Sequence, residues 1–222
     1  MANDVVLKAA ARQIAVGRIA LPGDLTTPEN AYALIAFAHG SGSSRLSPRN
    51  RAVARALNAR GMATLLFDLL THEEERDRAN VFAIPLLAER LIEAVHWVDW
   101  QPELADIPVG LFGASTGAAA ALVAAVALGD RVGAVVSRGG RPDLAANALD
   151  RVGAPTLLIV GGLDDDVIEL NERALARLQC IKALEIVPGA THLFPEPGTL
   201  ERVIALAGDW FADHLRPRGT KG

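Results

Sequence analysis

Three residue types that together perform acyl transfer stand in this chain in a usable order: a serine between glycines, an acid after a glycine turn, and a histidine near the carboxyl end. The serine is Ser115, in Gly113-Ala114-Ser115-Thr116-Gly117, where an apolar run meets an alanine-rich segment. A serine on a sharp strand-to-helix turn is lifted clear of the sheet, and the residues two before and two after it must be small so that strand and helix can approach. The helix starting there turns its unpaired N–H groups toward any oxyanion formed at the serine, with Thr116 N–H the first expected donor.

A serine hydroxyl is a poor nucleophile near neutral pH unless a base lies within hydrogen-bond reach. Of the five histidines, His192 in PGATHLF falls between the last expected strand and the last expected helix, where a loop can carry its ring over Ser115. His96 and His214 fall inside expected helices, His72 lies in a polar connection, and His39 is expected to brace a glycine-rich loop. The segment TLLIVGGLDDD supplies the acid. Asp164 comes first after the glycine turn and is expected to orient His192, while Asp165 and Asp166 are placed to cap the next helix. In FAHGSGSSRLSPRN, Gly40 and Gly42 permit a tight path that makes Ser41 N–H the second expected oxyanion donor. Arg138, in VVSRGGRPDL, has two readings: it binds a substrate carboxylate, or it pairs with a nearby acid such as Asp143 or Glu196.

These side chains need a scaffold, and the hydrophobic pattern describes one. Short apolar runs at 33–38, 63–67, 109–112, 134–137, 156–160 and 184–187 alternate with segments of helical period. That alternation predicts an α/β fold with a mostly parallel sheet covered by helices. A further strand or hairpin is expected within residues 1–20, from VVLKA and IAVGRIAL. One helix starts at Ser47 as N-cap with Pro48 behind it and ends before Gly61, with Ala52, Val53, Ala56 and Leu57 on one face. A second carries the stripe Ile84, Leu87, Leu91, Val95 and Val98, a third Val167, Leu170, Ala174 and Leu178. The last carries Leu200, Val203, Ile204, Ala207, Phe211 and Leu215, and a tail from residue 216 is expected to fray. No repeat or linker divides the chain, so residues 1–222 read as one domain.

Composition narrows the partners. With 22% charged residues and a net charge of −4, the chain lacks the basic footprint of a nucleic-acid binder. The apolar stretch 118–128 is too short to cross a bilayer and reads as a buried core helix, and the amino-terminal residues lack the apolar core of an export signal, so a cytoplasmic setting is expected. The single cysteine, Cys180, is expected to be buried and inert. EEERDR at 73–78 reads as a solvated loop or helix start. Nothing points to an oligomeric state beyond monomer or homodimer.

HGSGSS, GASTG, GGLDDD and GATHLF, taken as a series, resemble the motifs of the dienelactone hydrolase-like branch of the α/β-hydrolases over nearly the whole chain. The resemblance implies an open sheet of about eight strands with little or no cap domain. It also implies a Ser115–Asp164–His192 triad with oxyanion donors at Ser41 and Thr116, acting on small esters or lactones without metal or organic cofactor. Dienelactone hydrolases proper use cysteine as nucleophile, and Ser115 departs from that. The expected activity is therefore that of a serine esterase. A thioesterase, peptidase or acyltransferase on the same triad, and a non-catalytic binding protein that kept the fold, are the alternatives.

Overall fold

Apolar runs that present side chains to both faces of a sheet can be sheltered only between two helical layers. The computed structural model, which describes residues 9–145 and 147–216, has that arrangement. The strands are β1 (Ala9–Val16), β2 (Leu21–Pro28), β3 (Ala33–Ala38), β4 (Met62–Phe67), β5 (Val109–Ala114), β6 (Val132–Arg138), β7 (Thr156–Gly161) and β8 (Lys182–Val187). They form one sheet in the order β1-β2-β4-β3-β5-β6-β7-β8. β2 is antiparallel to both of its neighbours, and every other pairing is parallel.

The helices are α1 (Pro48–Ala59), α2 (Arg78–Val81), α3 (Ile84–Asp99), α4 (Thr116–Leu128), α5 (Asp165–Arg177) and α6 (Thr199–Leu215). Alternation along β3 shows how the layers divide. Leu34, Ala36 and Ala38 join a core with α3 and α4, whereas Ala33, Ile35 and Phe37 join one with α1 and α6. On the second face the Phe37 and Phe112 rings lie 5.0 Å apart, and burying each ring contributes about 1.5–3 kcal/mol.

The amino-terminal expectation is met in kind and corrected in register. A hairpin is present, but its turn is Gly17 to Ala20, inside IAVGRIAL, and β2 runs on through Pro22. Most of VVLKA and the tail beyond residue 216 lie outside the described residues. α1 buries Asn50, Val53, Ala54 and Leu57, so its inward face is rotated from the expected Ala52 and Ala56. Ser47 caps it as expected, accepting from Asn50 N–H at 3.3 Å. Cys180 is only partly buried, because it follows α5 near the sheet edge formed by β8.

The strand order reverses between β3 and β5: β4 lies on one side of β3 and β5 on the other. Open α/β sheets bind ligands outside the carboxyl ends of strands at such a switch point. The glycine loop after β3, Ser115 after β5, Arg138 at the end of β6, Asp164 after β7 and His192 after β8 all emerge at that edge.

Candidate active site

Ser115 is held at φ 52°, ψ −120°, a conformation that L-residues rarely adopt. Close packing on both sides holds it there. A Cβ on Gly113 would lie 2.4 Å from Ala118 Cα, and one on Gly117 would lie 2.2 Å from the Ala38 carbonyl oxygen. Ser115 N–H donates to the Arg138 carbonyl at 3.2 Å, and the Ser115 carbonyl accepts from Ala118 and Arg141 N–H, each at 3.1 Å. The elbow is thereby fastened to the end of β6.

Asp164 occupies the N-cap position of α5, yet its side chain makes no capping bond. It accepts instead from His192 Nδ1 at 2.7 Å. Asp165 and Asp166 lie in the first turn of the helix, so neither is the cap expected of them: the N-cap position falls to Asp164, one residue earlier. With Nδ1–H given to the carboxylate, Nε2 is the nitrogen left to accept a proton. The loop carrying His192 is pinned from two directions. Thr191 donates its N–H and hydroxyl to the Glu196 carboxylate at 3.1 and 2.6 Å, and the hydroxyl bond in turn lowers the pKa of that carboxyl. On the other side Gly139, at φ 53°, lets the chain pass close to the histidine's backbone, since a Cβ there would stand 3.1 Å from the His192 carbonyl oxygen.

Ser115 and His192 line one cavity of about 200 Å³ together with Gly40, Ser41, Arg49 and Arg138. Among the described residues no hydrogen bond joins the Ser115 hydroxyl to the imidazole. Such bonds are often long in a free enzyme and tighten around substrate.

The donor loop differs from expectation in one contact. Ser41 N–H donates to Thr116 Oγ1 at 3.0 Å, so the amide expected to face an oxyanion is engaged by a side chain. The Thr116 hydroxyl is therefore a functional candidate that the sequence reasoning missed. A hydroxyl residue directly after the nucleophile and a glycine loop after β3 were the available signals. His39 braces this loop as expected: Nδ1 donates to the Gly40 carbonyl and Nε2 accepts from Leu69 N–H, both at 3.0 Å. That pattern requires the neutral ring, and burial lowers its pKa accordingly. A second cavity, of about 390 Å³, opens beyond Ser41 and Thr116, with Leu69, Leu70, Val81 and Leu87 in its wall.

Arg138 does not pair with either acid offered for it. Asp143 is held by Arg141 through two bonds of 2.8 Å, and Glu196 is held by Thr191. Arg138 donates instead to Asn50 Oδ1 at 3.1 Å and sits 5.9 Å from the Phe194 ring centre. Among the described residues no group of three or more metal-ligating side chains is placed to hold a metal ion, and no helix is long and apolar enough to cross a membrane.

A mostly parallel sheet with a strained serine after its central strand, an acid after β7 and a histidine after β8 defines the α/β-hydrolase class. The family model described as the dienelactone hydrolase family matches residues 24–208, and the chain belongs to that family. It is 54% identical to a dienelactone hydrolase from Anabaena variabilis whose crystal structure it matches with a TM-score of 0.89, over 95% of this chain and 99% of that one. It is 59% identical over 221 residues to proteins of two Mycobacterium tuberculosis strains that are named, provisionally, phosphoribosyl transferases. Those matches cover 100% of this chain and 50% of theirs, so the chain spans about half the length of the curated relatives it matches. Est1E from Butyrivibrio proteoclasticus, 17% identical, shares the fold with a TM-score of 0.77 over 92% of this chain and 98% of its own. Within that family the chain carries a serine, Ser115, at the turn after its central strand.

Proposed function

We propose that this chain cleaves small carboxylic esters or lactones through an acyl-enzyme on Ser115, with His192 as base and Asp164 as the residue that orients it. The observation that carries this reading is the 2.7 Å contact from Asp164 to His192 Nδ1, beside the cavity into which the strained Ser115 faces. Ser115 Oγ attacks the carbonyl carbon while His192 Nε2 takes its proton. As the tetrahedral intermediate collapses, the bond to the leaving oxygen breaks and His192 returns that proton to it. Water, deprotonated by His192, then releases the acid. The oxyanion is met by Thr116 N–H at the start of α4 and by the Ser41–Thr116 pair.

That pairing leads to a testable split. Thr116→Val removes the acceptor for Ser41 N–H and is expected to lower kcat about tenfold with little change in KM, while Thr116→Ser keeps most of the rate. A KM effect with unchanged kcat would place Thr116 in substrate binding alone.

The class-level test is reaction of the folded protein with a fluorophosphonate probe, together with a panel of neutral esters graded by acyl length. Labelling at Ser115 is expected, with acetate and butyrate cleaved fastest and longer chains slower, because the cavity lined by Leu69, Leu70, Val81 and Leu87 offers only about 390 Å³. A folded protein that neither labels nor cleaves any ester would favour a binding role. The transferase name attached to the mycobacterial relatives belongs to chains twice as long, and we infer that such an activity would lie in the half this chain does not match. A single cysteine in 222 residues supports a reducing, cytoplasmic setting.

A further inference from the structure

The cavity at Ser115 carries positive charge that, among the described residues, no carboxylate neutralises. Arg138 is only 5% exposed, and its Nε has no hydrogen-bond partner. The Nε of Arg49, in the same cavity wall, is likewise buried without a partner. Among the described residues neither guanidinium lies within ion-pair distance of an Asp or Glu. Burial, and then the charge of Arg49, bring the Arg138 pKa down to about 10, so that the Arg138 guanidinium remains a cation at neutral pH. A buried ion without a counter-ion is strongly unfavourable, and its place in a cavity wall implies that a ligand supplies the missing charge.

A third positive element converges there. The 12-residue helix α1 begins at this cavity, with Ser47 as N-cap, Arg49 and Asn50 in its first turn and no acidic residue to offset its dipole. Asn50 is buried, and its Oδ1 accepts from the Arg138 guanidinium and so aims it. Two guanidinium groups and a helix amino terminus match a double negative charge with several acceptor oxygens. A carboxylate can accept from both arginines but balances only one of their two charges.

On the strength of the acyl-enzyme reading above, we propose that this cavity binds the phosphate dianion of a phosphorylated alcohol, so that the substrates are short acyl esters of such alcohols. The phosphate belongs to the leaving group because His192, which protonates the leaving oxygen, lines the arginine cavity and not the apolar one. The acyl chain then occupies the cavity walled by Leu69, Leu70 and Leu87. Ser115 Oγ bonds to the acyl carbon and the carbon–oxygen bond to the alcohol breaks. The proton passes from Oγ through His192 to the departing oxygen, and the phosphate ester itself stays intact.

The test uses inorganic phosphate as a binding probe and three acetyl esters of equal length, bearing a phosphate, a carboxylate or no charge on the alcohol. Inorganic phosphate is expected to bind wild-type protein in calorimetry and to compete with the uncharged ester. The phosphate-bearing ester is expected to exceed the uncharged one at least tenfold in kcat/KM, about the loss of one charge-assisted hydrogen bond. Arg138→Gln should shrink both the preference and the phosphate binding. Arg49→Gln, at a half-buried position of a surface helix, should do the same should the Arg138 variant fold poorly. Equal rates on the charged and uncharged esters, or a carboxylate ester preferred to the phosphate one, would overturn the proposal. Arginine-dependent phosphate binding by a protein that cleaves no ester would uphold the anion site and overturn the acyl-enzyme reading instead.

Discussion

Ser115→Ala is expected to reduce ester hydrolysis by roughly four to six orders of magnitude while the protein stays folded, measured as kcat on an acetate ester beside the thermal unfolding midpoint. The hydroxyl is the only atom lost, and its neighbours are fixed by backbone. Ser115 N–H and carbonyl bond to Arg138, Ala118 and Arg141 whatever the side chain. A residue at φ 52° is strained unless it is glycine. Ser115→Gly should therefore be as inactive as the alanine variant yet more stable than wild type by about 1 kcal/mol, less whatever entropy glycine gains in the unfolded chain. Stability gained together with activity lost separates a strained nucleophile from a packing residue. A Ser115→Ala protein of near wild-type rate would end the acyl-enzyme account.

The largest effect on folding is expected at Gly117. A Cβ there would stand 2.2 Å from the Ala38 carbonyl oxygen and 2.5 Å from that of His39. Both are backbone atoms, one at the end of a central strand and one at the start of the donor loop, and neither can rotate aside. Gly117→Ala must push α4 away from β3, and we expect a loss of about 3 kcal/mol or more, seen as a lower denaturation midpoint or loss of folded protein. Gly153 is the control, because a Cβ there meets nothing within 4 Å and no positive φ is imposed on it. Gly117→Ala melting together with Gly153→Ala, both near wild type, would show that the helix and strand are not packed as tightly as the elbow requires.

How much of this was legible in sequence depends on whether a feature is local. The five strands β3 to β7 could be found because they are apolar on both faces, and the elbow because its glycines bracket a serine at the junction of two patterns. The hairpin register was not legible: AAARQIAV has almost no alternation to mark an inward face, and the turn is set at Gly17 and Ala20, both at positive φ. The inward face of α1 was misjudged because Asn50 is buried by a partner 88 residues away, Arg138, which periodicity cannot represent. The same distance effect governs Arg138 itself. The sequence offered Asp143 and Glu196 as partners, and only the three-dimensional arrangement shows that Arg141 and Thr191 take them. The Thr116–Ser41 contact joins the start of α4 to a loop 75 residues earlier and was likewise out of reach.

Asp164 stands where a helix would welcome a cap and gives its carboxylate to a histidine 28 residues away instead. A side-chain cap stabilises a helix by about 1 kcal/mol, so α5 begins less firmly than its own sequence allows, with the charges of Asp165 and Asp166 as partial compensation at its positive end. On the proposed mechanism, heat resistance and turnover therefore compete for a single carboxylate. Directed evolution that screens only for survival at high temperature would favour variants that return this side chain to the helix and let the imidazole drift, so selection on this scaffold has to read out rate and melting together.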